Sequence, residues 1–232
     1  MRRNFWTDEG ESIIGDRLTT FIDSLNWQLP EYLREVERRA LAEEVPIIRR
    51  SMQSLLIFLM RWVQPEEMLE IGTAVGFSGM LLCEHAGKGA RLDTIEKVPQ
   101  RIRAARENFA RYGMDQRIAL WEGDAAEVLK EMVAQDRKYD FIFMDAAKGQ
   151  YLHFLPSILS LLKPGGMLVT DNVLQGGDVL QSRYAITKRD RTIHKRMREF
   201  LYTLTHSQGL NTVILPVGDG VALTTVCKNG VL

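Results

Sequence analysis

Three short segments of the chain carry side chains suited to chemistry. Asp145-Ala-Ala-Lys148 follows an apolar run at residues 139–144, and Asp171-Asn172 follows another at 167–170. Upstream, Glu70-Ile-Gly-Thr-Ala-Val-Gly-Phe-Ser-Gly79 closes a third run at 68–71. Two carboxylates and an amide oxygen are hard donors, which favour Mg²⁺ or Mn²⁺ over zinc and leave coordination positions open. His85, His153, His194 and His206 all lie outside these motifs, so a transition-metal site is not indicated. Taken singly, Asp145 is a candidate helix cap and Asp171-Asn172 a candidate turn. Both pairs end apolar strands downstream of a glycine turn, and together they read as one metal site with the Lys148 amine beside it.

The elements that must position these residues follow from the pattern after Met68. Short apolar runs at 68–71, 91–95, 118–121, 139–144, 167–170, 211–215 and 222–226 alternate with amphipathic segments, which predicts an α/β fold with parallel strands and crossover helices. The last two runs, separated by Pro216-Val-Gly-Asp-Gly220, predict an antiparallel hairpin at the sheet edge. In an open parallel sheet, ligands bind beyond the carboxyl ends of the strands near the switch in strand order. Consecutive strands should be neighbours there, bringing Asp145, Asp171 and Asn172 around one point. Residues 174–186, with Gly176-Gly177, carry no clear pattern and are a candidate mobile active-site loop.

Ahead of the sheet, Leu18, Phe21, Ile22 and Leu25, then Leu55, Leu56, Leu59 and Met60, recur at helical spacing and predict two or three helices. Pro30 suits a first helical turn and Pro46 a break. Residues 1–63 are read as a helical lid or dimer-contact segment of the same single domain as the core at 64–232. Phe5, Trp6 and Trp27 are its candidate contact residues.

Composition narrows the class. With 45% hydrophobic and 26% charged residues the chain is globular rather than disordered. Cys83 and Cys227 lack CxxC spacing, so neither a disulfide framework nor a cysteine zinc site is expected. No segment reaches the roughly 20 apolar residues of a membrane span, and a cytoplasmic setting is expected. Zero formal net charge argues against a strongly basic nucleic-acid binder, yet residues 183–198 carry net +6 and the rest −6.

The glycine turn is GxxxG, not the GxGxxG of pyrophosphate-binding folds. Glu96 ends the second strand about 20 residues on, where an acid can accept from both ribose hydroxyls. Gly123-Asp124-Ala125 would lie beside an adenine, although Asp124 equally suits a helix N-cap. An adenosine without phosphates fits S-adenosylmethionine, with Glu70, Gly72, Thr73, Ser78, Glu96, Asp124, Ala125 and Asp145 as cofactor contacts. Over about residues 45–228 the chain resembles the Rossmann-like class I methyltransferases, and more narrowly the cation-dependent O-methyltransferases of the catechol and caffeoyl-CoA type. That resemblance implies a seven-stranded, mostly parallel sheet with helices on both faces. It also implies Asp145, Asp171 and Asn172 as metal ligands, Lys148 as the base and Ile48 at the cofactor pocket, and it points to a homodimer.

A chelated ion predicts an acceptor with neighbouring oxygens, such as a catechol or the 5-OH and O4 of 5-hydroxyuridine. The basic stretch from Thr187 to Arg198 follows the metal motif and could hold a phosphate backbone, or be a solvated helix face. Lys188, Arg189, Arg191, Lys195 and Arg196, with Arg49 and Arg50, are the candidate RNA contacts. The Arg-Asp-Arg-Thr-Ile run after the Asp-Asn site resembles the bacterial tRNA 5-hydroxyuridine methyltransferases, which implies a tRNA partner. A small-molecule O-methyltransferase and a non-catalytic S-adenosylmethionine-binding module are the rival readings.

Overall fold

The computed structural model describes residues 15–182 and 184–227; Phe5, Trp6 and Arg183 lie outside them. In chain order the elements are α1 (Asp16–Ser24), α2 (Glu31–Ala42), α3 (Arg50–Val63), β1 (Glu67–Ile71), α4 (Phe77–His85), β2 (Arg91–Glu96), α5 (Pro99–Arg111) and β3 (Ile118–Glu122). There follow α6 (Ala125–Ala134), β4 (Tyr139–Met144), α7 (Tyr151–Leu161), β5 (Leu162–Thr170), α8 (Arg191–His206), β6 (Leu210–Leu215) and β7 (Val221–Val226). Short 3-10 turns occupy Lys148–Gln150 and Gln175–Leu180.

The strands form one seven-stranded sheet in the order β3-β2-β1-β4-β5-β7-β6. β1 to β5 run parallel, and β7 is antiparallel to both β5 and β6. The strand order reverses between β1 and β4, and a crevice at their carboxyl ends is therefore expected. Alternation along each strand feeds two cores. Met68, Phe141, Phe143 and Val169 pack with α2 to α5, whereas Leu69, Ile71, Ile142, Met144 and Leu168 pack with α6 to α8. Each of these large side chains contributes about 1.5–3 kcal/mol by leaving water. The acid inside β2, Asp93, is buried but fully paired: Trp121 Nε1, Arg137 Nη1 and the Tyr139 hydroxyl all donate to it.

α2 and α3 share the first core with the sheet through Leu33, Val36, Met52, Leu56 and Met60. Pro30 caps α2 from outside and Pro46 lies in the α2–α3 break. α1 differs. Its helical spacing is as expected, but Leu18, Phe21, Ile22 and Leu25 are 52, 61, 43 and 68% exposed. The second half of the basic stretch and the apolar segment after it form one helix, α8. Buried His194, Met197, Phe200, Leu201 and Leu204 give α8 an inward stripe at three- and four-residue spacing. β5 starts earlier than its apolar run, extending back through Lys163-Pro-Gly-Gly to Leu162. Among the described residues no helix is long and apolar enough to cross a membrane.

Candidate active site

The glycine turn leaves β1 at the sheet's switch point. Gly72 takes φ +98°, and a Cβ there would lie 2.1 Å from the Asp145 carbonyl oxygen, so β1 and β4 can end side by side only with glycine. Gly76, at φ +88°, would meet the Phe109 ring at 2.5 Å. In the structure the atoms that exclude side chains at both glycines belong to β4 and α5.

A cavity of about 360 Å³ opens beside this turn, with Gly72, Glu96, Asp124, Ala125 and Asp145 among its walls. Glu96 is buried and takes three main-chain amides, from Ala74 at 3.0 Å, Lys97 at 2.8 Å and Val98 at 2.9 Å. Oε1 takes two of these amides and Oε2 one, so Oε2 keeps acceptor capacity. Asp124 caps α6 by accepting the Ala126 amide at 3.0 Å, and that amide, with Lys97 nearby, holds its carboxyl below the usual range. Capping leaves its remaining lone pairs on the cavity wall.

Glu70, Thr73 and Ser78 lie beneath the turn rather than on this wall, with Glu70 wholly enclosed. The Thr94 hydroxyl donates to Glu70 at 2.6 Å. Burial pushes the Glu70 carboxyl up, opposed by the Ser78, Thr73 and Thr94 hydroxyls. Glu70 Oε1 and Thr73 Oγ1 still lack a well-formed hydrogen bond, two buried polar atoms beneath the turn.

The metal-type residues converge at the ends of β4 and β5. Backbone bonds from Asp145 to Ile71 and from Asp171 to Met144, each 3.0 Å, continue the ladder and fix where both side chains leave it. Asn172 sits in the left-handed region at φ +60°, with its amide 2.6 Å from Asp171 Oδ1 and its Nδ2 3.3 Å from Asp145 Oδ1. Rotating the side-chain amide by half a turn presents its oxygen instead. Burial raises the Asp171 carboxyl to about 7, with Asp145 adding to the shift, and burial raises Asp145 too. Lys148 opposes both shifts, which places its ammonium within electrostatic reach of the pair. A buried Asp171 and a half-buried Asp145 that disfavours its charge, beside a reorientable amide oxygen, form a donor set that suits a divalent cation.

These residues border a second cavity, of about 270 Å³, which shares Pro46 and Asp145 with the first. Ile48 lines this one and not the donor cavity. A third carboxylate, Asp219, also lines it, from the β6–β7 turn. That turn is fastened to the Asp171-Asn172 segment by amides of Val173 and Leu174, each 2.9 Å from carbonyls of Gly220 and Asp219. Sequence reasoning read Asp219 only as part of a hairpin turn. Its proximity follows from β7 inserting beside β5, a pairing that no local pattern specifies. Tyr151 was also missed: it is buried, and its hydroxyl donates to the Asp171 carbonyl at 3.1 Å, joining the two ligand strands.

The proposed RNA contacts divide. Arg49 pairs with Asp219 at 3.1 Å and Arg50 lies 3.9 Å from Glu37. Arg191 donates to the Ile186 carbonyl, Arg196 to the Gly149 carbonyl, and Lys195 pairs with Glu199. Lys188 and Arg189 are exposed and have no acidic partner among the described residues.

The sheet order, the donor cavity at the switch point and the acidic cluster beside it define a class I methyltransferase architecture. The O-methyltransferase family profile matches residues 23–227, and the chain belongs to that family. It is 32% identical over 192 residues to a catechol O-methyltransferase of Mycobacterium tuberculosis, covering 80% of this chain and 84% of that one. A caffeoyl-CoA O-methyltransferase of Medicago sativa is 28% identical over 75% of this chain and 70% of its own. An SAH-bound methyltransferase of Podospora anserina superposes with a TM-score of 0.81 at 27% identity, over 91% of this chain and 94% of that one. The protein is accordingly an S-adenosylmethionine-dependent O-methyltransferase.

Proposed function

We propose that the protein methylates a hydroxyl that has a second oxygen on the neighbouring carbon, with a divalent cation held by Asp145, Asp171 and Asn172. Catechol is the simplest acceptor of this class. The observation that carries the reading is the convergence of those three side chains between two cavities that share Asp145. When bound, Mg²⁺ or Mn²⁺ orients the two acceptor oxygens and acidifies the reacting hydroxyl, and S-adenosylmethionine provides the methyl. Lys148 takes the hydroxyl proton. Glu96 and Asp124 hold the adenosine end, while Ile48 and Met52 close the acceptor side against water. The oxygen and the sulfonium neutralise one another as the methyl moves, so alignment outweighs charge stabilisation. Holding reactants at attack distance is worth up to about 7–11 kcal/mol.

The relatives named for their acceptors are small-molecule enzymes, which supports a catechol-type substrate. The second reading is 5-hydroxyuridine in tRNA. It is favoured by Lys188 and Arg189 standing exposed and unpaired, with Tyr184 87% exposed on the same loop as a stacking surface. Nucleoside mass spectrometry of 5-hydroxyuridine-bearing tRNA, run beside a catechol assay with labelled S-adenosylmethionine and Mg²⁺, separates the two. Methylation of catechol alone supports the first reading. Methylation of tRNA that is lost on reversing Lys188 and Arg189 supports the second. Failure to methylate either substrate with Mg²⁺ or Mn²⁺ present contradicts both.

The open apolar face of α1, continued by Trp27, Phe58 and Trp62 at 81, 61 and 70% exposure, fits burial in a homodimer. A monomer by light scattering at micromolar concentration would contradict that part.

A further inference from the structure

The three arginines of α8 reach the backbone carbonyls of two segments beside the helix. On one flank of the buried stripe, Arg191 Nε donates to the Ile186 carbonyl at 3.1 Å and Arg198 Nη1 to the Val179 carbonyl at 3.1 Å. His194, between them and buried, places Nε2 3.2 Å from the Gln181 carbonyl. These three contacts fasten the segment that follows the Asp171-Asn172 pair. On the other flank, Arg196 Nη1 donates to the Gly149 carbonyl at 3.0 Å. The two groups of side chains diverge because residues 191, 194 and 198 share one side of an α-helix and residue 196 does not.

Gly149 is the middle residue of the 3-10 turn Lys148–Gln150. This turn has no side-chain cap and is a single turn long, so little within it fixes the direction of the Lys148 side chain. What surrounds it comes from α8. Ile193 and Arg196 both approach Gly149 at 3.8 Å from where a Cβ would stand. Phe200 of the same helix meets Tyr151 edge-on at 5.6 Å, and Tyr151 in turn donates to the Asp171 carbonyl. One rigid helix thus braces both the turn carrying the amine and the strand end carrying a carboxylate.

We propose that Arg196 is a positioning residue for methyl transfer: by holding the Gly149 carbonyl, it sets the Lys148 amine against Asp145 and Asp171. The assignment rests on Lys148 acting as the base. A guanidinium suits the task because its planar donors are preorganised and lose little freedom per hydrogen bond. A lysine at 196 has the charge but not the fork, and should recover only part of the effect.

A double-mutant cycle tests the idea with catechol as acceptor, saturating Mg²⁺ and S-adenosylmethionine, and SAH affinity with thermal melting as folding controls. Arg196→Met should lower kcat about tenfold, the scale of one charged hydrogen bond and the misalignment its loss allows. Its KM for S-adenosylmethionine should stay within about twofold, since Arg196 does not itself line the donor cavity. Arg196→Lys should restore part of the rate. Lys148→Met should be slower than either, and Arg196→Met should then add nothing to it, because residues that act through one group are not additive. Three results overturn the assignment: wild-type kcat for Arg196→Met beside an impaired Lys148→Met, an undiminished tenfold loss in the Lys148→Met background, or a defect confined to KM for 5-hydroxyuridine-bearing tRNA. A Lys148→Met enzyme at the wild-type rate contradicts the base assignment itself. If catechol is not turned over, the cycle is read on 5-hydroxyuridine-bearing tRNA by the same criteria.

Discussion

The two halves of the site are built differently. On the donor side the chain uses main chain and one strand end: Gly72 turns against the Asp145 carbonyl, and Glu96 is gripped by three successive or nearby amides. On the acceptor side it uses side chains from distant segments: Asp145 after β4, Asp171 and Asn172 after β5, Asp219 from the last hairpin and Arg49 before α3. Backbone-built features tolerate few substitutions and vary little in shape. A pocket assembled from separate loops can change one wall without disturbing the others, which is how one fold accommodates many acceptors.

The largest effect should come from the acceptor side's acidic pair. Asp171→Ala is expected to reduce kcat on the order of 10³-fold, the several kcal/mol that a cation contributes to charge and alignment, with SAH affinity nearly unchanged by calorimetry. An equal loss of SAH affinity would erase the division between the halves.

The donor side should answer in the opposite parameter. Glu96→Ala removes the proposed acceptor of ribose hydroxyls and leaves three amides unpaired, and should raise the KM for S-adenosylmethionine about 10- to 100-fold. Cation binding, followed by Mn²⁺ titration, should not change. If it weakens in step, the two cavities are coupled more tightly than their two shared residues, Pro46 and Asp145, imply.

A smaller, pH-dependent effect sharpens the contrast. In chelator-treated protein the raised Asp171 carboxyl binds its proton more tightly folded than unfolded, where it titrates near the ordinary 3.8. The stability it confers is present below about 4 and lost as pH rises towards 7. Added Mg²⁺ should therefore raise the melting temperature more at pH 8 than at pH 5, whereas SAH should stabilise with no such trend. A flat Mg²⁺ response across that range would count against a cation at Asp171.

Much of the donor half was legible in the sequence because its determinants are local. A glycine turn after an apolar run, an acid at the next strand end and Gly123-Asp124 after the third all lie where period and spacing can find them. The Asp145 and Asp171-Asn172 pairs were legible for the same reason, each closing an apolar strand. What escaped depends on contacts across the chain. Asp219 reaches the site only because β7 pairs with β5, and Tyr151 matters through a carbonyl 20 residues away. Charge in the basic stretch can be counted in sequence but its partners cannot: Arg191 and Arg196 hold backbone carbonyls, Lys195 pairs with Glu199, and within the described part of the stretch Lys188 and Arg189 have no acidic partner. The helical spacing of α1 was equally visible, but spacing names a face without saying what covers it.

The most direct test of the central claim is Mn²⁺ binding to the purified protein, followed by electron paramagnetic resonance for the wild type and for Asp145→Ala, Asp171→Ala and Asn172→Ala. One tight site in the wild type, abolished in both aspartate variants and weakened in the asparagine variant, is the expected result. A site of unchanged affinity in all three variants would contradict it.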